Sequence, residues 1–249
     1  MLKAFVYMFK DKEFWKKYLP VFCFVVLANI FMNWAGIYAP ILNEGVKNPL
    51  YYILYIIGFV IMFVPYGYSI SALDYAFKCE ENINLPFIDI KHNFLNGLKV
   101  ILSGALLIVL LSVIFLILGF IRNALSGTAG EVLSSIVTAL SFLILFFTSF
   151  MGIAMCCNYV KKPNYFNFIN FKSAINIANE NLGKYFIVYL ITLLTAIVTY
   201  VLSMVVVSYM VLLGYLGIVL YSLFVSVIWT YIIYVYAYLF ARSVKASSF

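Results

Sequence analysis

The chain has 249 residues, of which 66% are hydrophobic and only 10% are charged. Soluble domains are about 45–50% apolar and about 25% charged, so this composition excludes an ordinary soluble fold, which could not hide so much apolar surface from water. The formal net charge is +7. No basic run lies in a soluble module, so we attribute this charge to the cytoplasmic side of a membrane protein and expect no binding to nucleic acid.

Charged residues divide the chain into long uncharged runs. These cover 26 residues from 18 to 43, 26 from 48 to 73, 22 between Lys99 and Arg122, 29 between Glu131 and Lys161, and 57 between Lys184 and Arg242. A helix crosses the hydrocarbon core with about 20 residues, so each of the first four runs holds one span and the last holds two. We predict an all-α membrane protein with six transmembrane helices near 18–41, 50–76, 95–121, 131–160, 183–210 and 215–241, with a turn at 214–217 before the sixth.

The distribution of basic residues predicts the orientation of these helices. If the N-terminus is cytoplasmic, 14 of the 16 lysines and arginines fall in cytoplasmic segments, and only Lys47 and Arg122 fall in outer loops. Basic residues accumulate on the cytoplasmic side of membrane proteins. We therefore predict a multi-pass protein of the cell (inner) membrane with both termini in the cytoplasm.

Three predicted cytoplasmic segments have amphipathic spacing. Residues 2–13, 87–98 and 166–182 each place apolar residues on one helical face, which is typical of helices lying in the membrane interface. In addition, Phe87-Ile88-Asp89-Ile90-Lys91 parallels Phe168-Ile169-Asn170-Phe171-Lys172. The sequence therefore predicts three hairpins, each preceded by an interfacial helix on the cytoplasmic side. The alternative is that any protein with several hairpins needs such elbows.

Few polar residues lie inside the predicted spans, and no ionisable residue lies near a span centre. Asn29 and Asn33 are spaced i, i+4 on the first span and adjoin Trp34. They are candidates for a polar cavity that binds a substrate. The alternative, which we favour, is that they form hydrogen bonds across helices, because an unsatisfied amide is costly in lipid.

Two hydroxyl stripes and one proline complete the candidate residues. Thr195, Thr199 and Ser203 recur every four residues on the fifth span, and Ser222, Ser226 and Thr230 do so on the sixth. We expect the stripes to face each other across a tight hairpin, either as a packing face or, less favoured, as a hydroxyl-lined pore. Pro65 is a candidate hinge in the second span, although a static kink is the more common result of a proline.

Short motifs at the predicted membrane boundary resemble a known family. They are Asn84-Leu85-Pro86 followed by Asp89 and Phe94-Leu95-Asn96-Gly97-Leu98-Lys99, the opening Phe9-Lys10-Asp11-Lys12-Glu13-Phe14-Trp15, and the later elbow from Asn179 to Tyr185. Together they resemble the prokaryotic polytopic membrane family called domain of unknown function 4013, over most of the chain. The chain departs from that pattern at Phe87, where an acidic or Trp-containing segment is usual. The resemblance implies a membrane architecture only, because the family has no assigned activity or catalytic residues that could be carried over.

Chemical motifs do not identify a reaction. The sequence has no phosphate-binding glycine loop, zincin helix or nucleophile elbow. Its one histidine, His92, lacks metal-ligand spacing to Cys79 or Glu80, so we expect no metal, no cofactor and no catalytic residue. Our leading hypothesis is a non-enzymatic accessory or transport-related, channel-like membrane component acting with lipids, other membrane subunits or a second copy of the chain. The alternatives are an immunity or resistance protein that binds a membrane-active peptide or toxin and, least favoured, an intramembrane enzyme acting on lipid or peptide.

Overall fold

The computed structural model of the protein describes residues 7–35, 49–78, 85–124, 128–161, 164, 168 and 170–245. Within these ranges the chain forms helices and no strand. The α-helices are α1 (Phe14–Asn33), α2 (Pro49–Ile61), α3 (Phe63–Lys78), α4 (Ile90–Ala124), α5 (Thr128–Lys161), α6 (Phe171–Glu180), α7 (Leu182–Met210) and α8 (Tyr215–Lys245). Short 3-10 helices occupy Tyr7–Lys10 and Val211–Leu213.

Five stretches of these helices are long and apolar enough to cross a membrane. They are Phe14–Asn33, Pro49–Lys78, Ser134–Lys161, Leu182–Met210 and Tyr215–Ser243. The all-helical class is therefore confirmed, and five of the six predicted spans coincide with these stretches. The predicted span at 95–121 lies inside α4, which has 35 residues and a length of about 52 Å at 1.5 Å per residue. α4 is not among the five stretches, so the sixth span stays a prediction. Residues 36–41 of the first predicted span lie outside the described residues.

The chain forms two units, the first made of residues 1–98 with 181–249 and the second of residues 99–180. In the first unit, α8 packs against α1, α3 and α7, and α1 also packs against α2. The ring of Tyr18, near the start of α1, lies 6.0 Å from the ring of Tyr234, in the second half of α8. At the other end of α1, the Trp34 ring lies 5.3 Å from the Tyr215 ring. The two helices are therefore antiparallel, and the start of α1 and the end of α8 lie at the same end of this unit.

The second unit contains α4 from Lys99 onward, α5 and α6. The short helix α6 packs on the end of α5. There, the Ser173 hydroxyl donates to Asn158 Oδ1 over 2.7 Å, and the rings of Tyr159 and Phe168 stack with centroids 4.4 Å apart. A polar contact from α6 and an aromatic contact from Phe168, just before it in the chain, therefore lie against the end of α5.

The predicted interfacial helices differ in how they join the spans. Asp89 Oδ1 accepts the His92 N–H and Asn170 Oδ1 accepts the Ser173 N–H, so both parallel motifs begin a helix with the same type of N-cap. After the second cap, α6 ends at Glu180 and a turn at Asn181 separates it from α7. After the first cap the helix does not stop, so the predicted separate helix at 87–98 is wrong. It is the first part of α4, and Gly97 does not end the helix there, because each internal glycine costs a helix only about 1 kcal/mol.

The other two boundary predictions concern Gly214 and Pro65. Gly214 has φ of +59°, a left-handed conformation that glycine adopts readily, and its carbonyl accepts the Gly217 N–H at the start of α8. The predicted turn is confirmed.

Pro65 has no N–H to donate to the carbonyl of Ile61, and the helix is interrupted at Met62, between α2 and α3. The predicted hinge motion stays a prediction. Of the predicted interfacial segment 2–13, residues 2–6 lie outside the described residues.

Candidate functional site

A polar seam joins α1 to α8 inside the first unit. Asn29 Nδ2 donates to Ser226 Oγ over 2.9 Å, and Asn33 Nδ2 donates to Ser222 Oγ over 3.0 Å. The Ser226 hydroxyl donates to the Ser222 carbonyl over 2.6 Å, and the Thr230 hydroxyl donates to the Ser226 carbonyl over 2.7 Å. We use the name polar seam for these five residues. The structure thus brings the asparagine pair of the first span and the hydroxyl stripe of the last span together.

Helical spacing explains why the seam forms as two rungs. Residues four apart lie on one face of a helix, so Asn29 and Asn33 present two amides one turn apart, and Ser222 and Ser226 present two hydroxyls at the same interval. Because the helices are antiparallel, Asn29, the earlier amide, bonds to Ser226, the later serine, and Asn33 bonds to Ser222. The three α8 residues of the polar seam, Ser222, Ser226 and Thr230, are fully buried. Chemically, the seam holds neutral amides and hydroxyls, a composition suited to hydrogen bonding between helices.

The two hydroxyl stripes contact different partners, which differs from the expected pairing of one stripe with the other. Ser203 shares a hydrogen bond with the hydroxyl of Tyr221, and Thr195 shares one with the hydroxyl of Tyr236. Thr199 is buried. The physical reason is the angular spacing of a helix: neighbouring residues point about 100° apart, so Tyr221 of α8 lies toward α7 while Ser222 lies toward α1. A hydroxyl-lined pore stays a prediction.

Trp34 lies next to the seam but contributes an aromatic contact. Its ring packs against the Tyr215 ring at an interplanar angle of 34°. The side chain is partly exposed at the end of α1. The residue thus closes the seam at one end, as Tyr18 and Tyr234 do at the other.

A buried ion pair beside the start of α1 was missed by the sequence analysis. Asp11 Oδ2 accepts the Lys17 ammonium over 2.8 Å and the Leu85 N–H over 2.8 Å, and Asp11 Oδ1 accepts the Glu13 N–H over 2.9 Å. The side chains of Asp11 and Lys17 are only 3% and 5% exposed. We call this group the Asp11 clasp, because it ties the segment before α1 to the segment before α4. Six-residue spacing of opposite charges ahead of an apolar run was the only signal available.

Electrostatics favour the ionised form of the clasp. Burial of the carboxyl group would raise its pKa, but the hydrogen bonds from Lys17, Glu13 and Leu85 and the charge of Lys17 outweigh burial, so the pKa of Asp11 lies below its ordinary value. The Lys17 ammonium also lies 4.8 Å from the centroid of the Phe87 ring, within the range of a cation–π contact. One charged pair therefore fixes both the backbone at Leu85 and the ring at Phe87.

Two glycines allow α3 and α4 to cross in backbone contact. A Cβ atom added to Gly67 would collide with the Asn93 carbonyl oxygen, and one added to Gly97 would collide with the Phe63 carbonyl oxygen. Beside this crossing, the Ser71 hydroxyl donates to Oδ1 of the buried Asn93 over 2.7 Å. The Tyr68 hydroxyl donates to the Pro86 carbonyl over 2.8 Å. The crossing places the segment before α4 against α3, next to the Asp11 clasp.

The residues considered for metal binding or thiol chemistry do not converge in the described ranges. There, no group of three His, Cys, Asp or Glu side chains could hold a metal ion. His92 Nε2 lies 2.9 Å from Asn96 Nδ2, one turn along α4. Cys79 and Glu80 lie outside the described residues. Cys23 is exposed and Cys157 is buried, and both are free thiols.

Comparisons with known proteins place this architecture in a family. A family model described as "Protein of unknown function (DUF4013)" matches residues 50–208, well over half of the chain. The matched region runs from α2 through nearly all of α7, and the resemblance of the opening motif at residues 9–15 lies before it. No curated protein and no solved structure matches the chain.

Proposed function

Since the chain belongs to the DUF4013 family of proteins of unknown function, we propose a role from its own contacts: a non-enzymatic integral membrane protein that acts as an accessory or transport-related component with partner subunits. Five helical stretches long and apolar enough to span a membrane support the location. The proposal adds α4 as the sixth span, and it places both termini in the cytoplasm. The antiparallel contact of α1 with α8 supports placing both termini on one side of the membrane, and the count of basic residues favours the cytoplasmic side.

The single observation that carries the proposal is the difference between the inner and outer faces of the first unit. The amides and hydroxyls of the polar seam bond to one another inside the unit. The face of α7 away from α8 is apolar and exposed along its length, as Leu190, Leu194 and Val201 show. A partner helix can replace lipid on such a face without exposing apolar side chains to water, since lipid and a partner helix are equally apolar surroundings. The intramembrane polar groups thus serve the bundle, and the outer face of α7 is the surface for a partner.

Photo-crosslinking in native membranes tests this role. We would introduce benzoylphenylalanine at Leu194, whose side chain is 64% exposed on α7, and at Val188, which is buried on the same helix, as the matched control. The expected result is one discrete crosslinked protein species from Leu194, containing either a second copy or another membrane protein, and none from Val188. If Leu194 and every other exposed α7 position crosslinked to lipid and none crosslinked to protein, the proposal of a partner subunit on α7 would be wrong.

A further inference from the structure

A second surface of the first unit combines aromatic rings with lysines. The Asp11 clasp holds two segments side by side, residues 9–17 and residues 85–91, which we together call the collar. The collar exposes Phe9, Trp15, Phe87 and Ile90, and the Trp15 side chain is 70% exposed. In water, such a group of exposed apolar side chains would be unfavourable. At a membrane interface, an aromatic ring lies half in headgroups and half in acyl chains.

The collar carries more basic than acidic residues. Residues 9–17 and 85–91 contain five lysines and three acidic residues, a net charge of +2. Lys17 and Asp11 neutralise each other inside the clasp, and Asp89 accepts the His92 N–H at the N-cap of α4. Lys10, Lys12 and Lys16, which lie near Trp15 in the sequence, remain exposed, and Glu13 contacts Lys16 at 3.6 Å. The exposed charge of the collar is therefore positive, and its complement is an anion.

We propose that the collar is a binding surface for anionic phospholipid headgroups, with Phe9, Trp15 and Phe87 at the boundary of headgroups and acyl chains and with Lys10, Lys12 and Lys16 against lipid phosphates. The chemistry matches interfacial segments in which apolar side chains insert and basic side chains attract anionic lipid. The Asp11 clasp holds residues 9–17 and residues 85–91 in a fixed relative position through the ion pair of Asp11 with Lys17. Lys10, Lys12 and Lys16 take no part in that pair and can bind lipid phosphates. This inference rests on the membrane location proposed above.

Tryptophan quenching by brominated lipids tests the collar. The chain has three tryptophans. The combined substitutions Trp34→Phe and Trp229→Phe leave Trp15 as the only reporter, and Trp15→Phe with Trp34→Phe leaves Trp229, which is exposed near the middle of α8. Each variant is reconstituted in phosphatidylcholine with increasing phosphatidylglycerol, and bromine is carried by one lipid or the other and at shallow or deep acyl positions.

The expected result is that shallow bromines quench Trp15 best and that phosphatidylglycerol is preferred there by about three- to ten-fold, since each lysine near the surface attracts anionic lipid. Salt near 1 M should reduce the preference, because the Debye length falls to about 3 Å. Combined Lys10→Gln, Lys12→Gln and Lys16→Gln substitutions should remove it. Trp229 should be quenched best by deep bromines, without preference for the anionic lipid.

Three results would overturn the inference, and they differ in whether they also contradict the proposed membrane location. No preference for phosphatidylglycerol at Trp15, or a preference that survives the triple lysine substitution, contradicts the collar as an anionic lipid site. Quenching of Trp229 without any quenching of Trp15 means that the collar faces water or a soluble partner, while the membrane location stands. Absence of quenching at both tryptophans contradicts the membrane location itself.

Discussion

Two kinds of buried polar contact act at the level of single residues. The polar seam pairs neutral amides with hydroxyls, and the Asp11 clasp pairs full charges. Hydrogen bonds between membrane helices contribute about 0.6 kcal/mol on average and up to about 1.7 kcal/mol. A buried ion pair that loses one partner costs about 3–5 kcal/mol, because the remaining charge is left without compensation. The clasp should therefore be the more sensitive of the two.

The polar seam predicts a specific energetic coupling. In a double-mutant cycle of Asn29→Ala and Ser226→Ala, we expect a coupling of about 0.6–1.7 kcal/mol in the free energy of unfolding. Unfolding in dodecylmaltoside–SDS mixed micelles provides the measurement. The control cycle pairs Asn29→Ala with Ser208→Ala, because the Ser208 hydroxyl bonds within α7 to the Met204 carbonyl. Equal coupling in both cycles would show that Asn29 and Ser226 do not interact directly.

The Asp11 clasp predicts opposite behaviour of two adjacent lysines. Lys17→Met leaves the buried Asp11 carboxylate without its ammonium partner and should reduce the free energy of unfolding by about 3–5 kcal/mol. Lys16→Met, at a side chain that is 76% exposed, should change it by less than about 0.5 kcal/mol. The same micelle titration compares the two variants. If Lys16→Met lowered the free energy of unfolding as much as Lys17→Met, the buried ion pair of Lys17 would not be the cause of the loss.

Acid should weaken the clasp in a narrow pH range. Because the pKa of Asp11 is lowered in the folded protein, its ionised form stabilises the fold at pH values above the ordinary carboxyl pKa of about 4, and this contribution is lost as pH falls through the lower folded value. The stability difference between the native chain and Asp11→Asn should be constant from pH 8 to about 5 and should shrink below about pH 4. A difference that already shrinks near pH 6 would mean that the pKa is raised instead.

At the scale of helices, glycine decides where two of them cross. The carbonyl groups of Phe63 and Asn93 occupy the space that side chains at Gly97 and Gly67 would need. Backbone atoms cannot rotate away as a side chain can, so any added carbon must separate α3 from α4. The segment before α4, including the Asp11 clasp, would move with that separation.

Substitutions at two glycines of α4 should therefore have opposite effects. Gly97→Ala should lower the free energy of unfolding by at least about 1–3 kcal/mol through overpacking. Gly104→Ala meets no atom within 4 Å, so it should raise the free energy of unfolding by up to about 1 kcal/mol, the helix propensity gained over glycine. Thermal unfolding in detergent measures whether each variant is less or more stable than the native chain. Stabilisation by Gly97→Ala would contradict the close crossing.

Helix limits could largely be predicted from the sequence, and contacts between helices could not. Charge spacing predicts a span at 183–210, and α7 is Leu182–Met210. The spacing of Asn29 and Asn33 identifies a polar face, but its partner depends on which helix packs there, and the sequence indicated α7 rather than α1 for the serines of α8. Asp11 and Leu85 are 74 residues apart, so no local pattern predicts their contact. The elbow before α4 was predicted to be separate because amphipathic spacing does not show where a helix ends.

At the scale of the whole molecule, we propose a membrane bundle whose polar groups form hydrogen bonds within the bundle and whose outer surfaces contact lipid and partner proteins. Its first unit is held by α8, which contacts α1, α3 and α7. Its collar lies at the same end of that unit as the start of α1. The proposed role therefore requires a bilayer around the helices, with the collar end of the first unit on the cytoplasmic side.

Cysteine accessibility in whole cells tests this central claim most directly. The four native cysteines are replaced by alanine, and single cysteines are introduced by Gly45→Cys, Asn82→Cys, Ser126→Cys and Ser247→Cys. With six spans and cytoplasmic termini, an impermeant maleimide should label positions 45 and 126 in intact cells and positions 82 and 247 only after permeabilisation. Labelling of position 126 together with position 82 would show that α4 does not cross the membrane, and labelling of position 45 only from the cytoplasmic side would contradict the orientation.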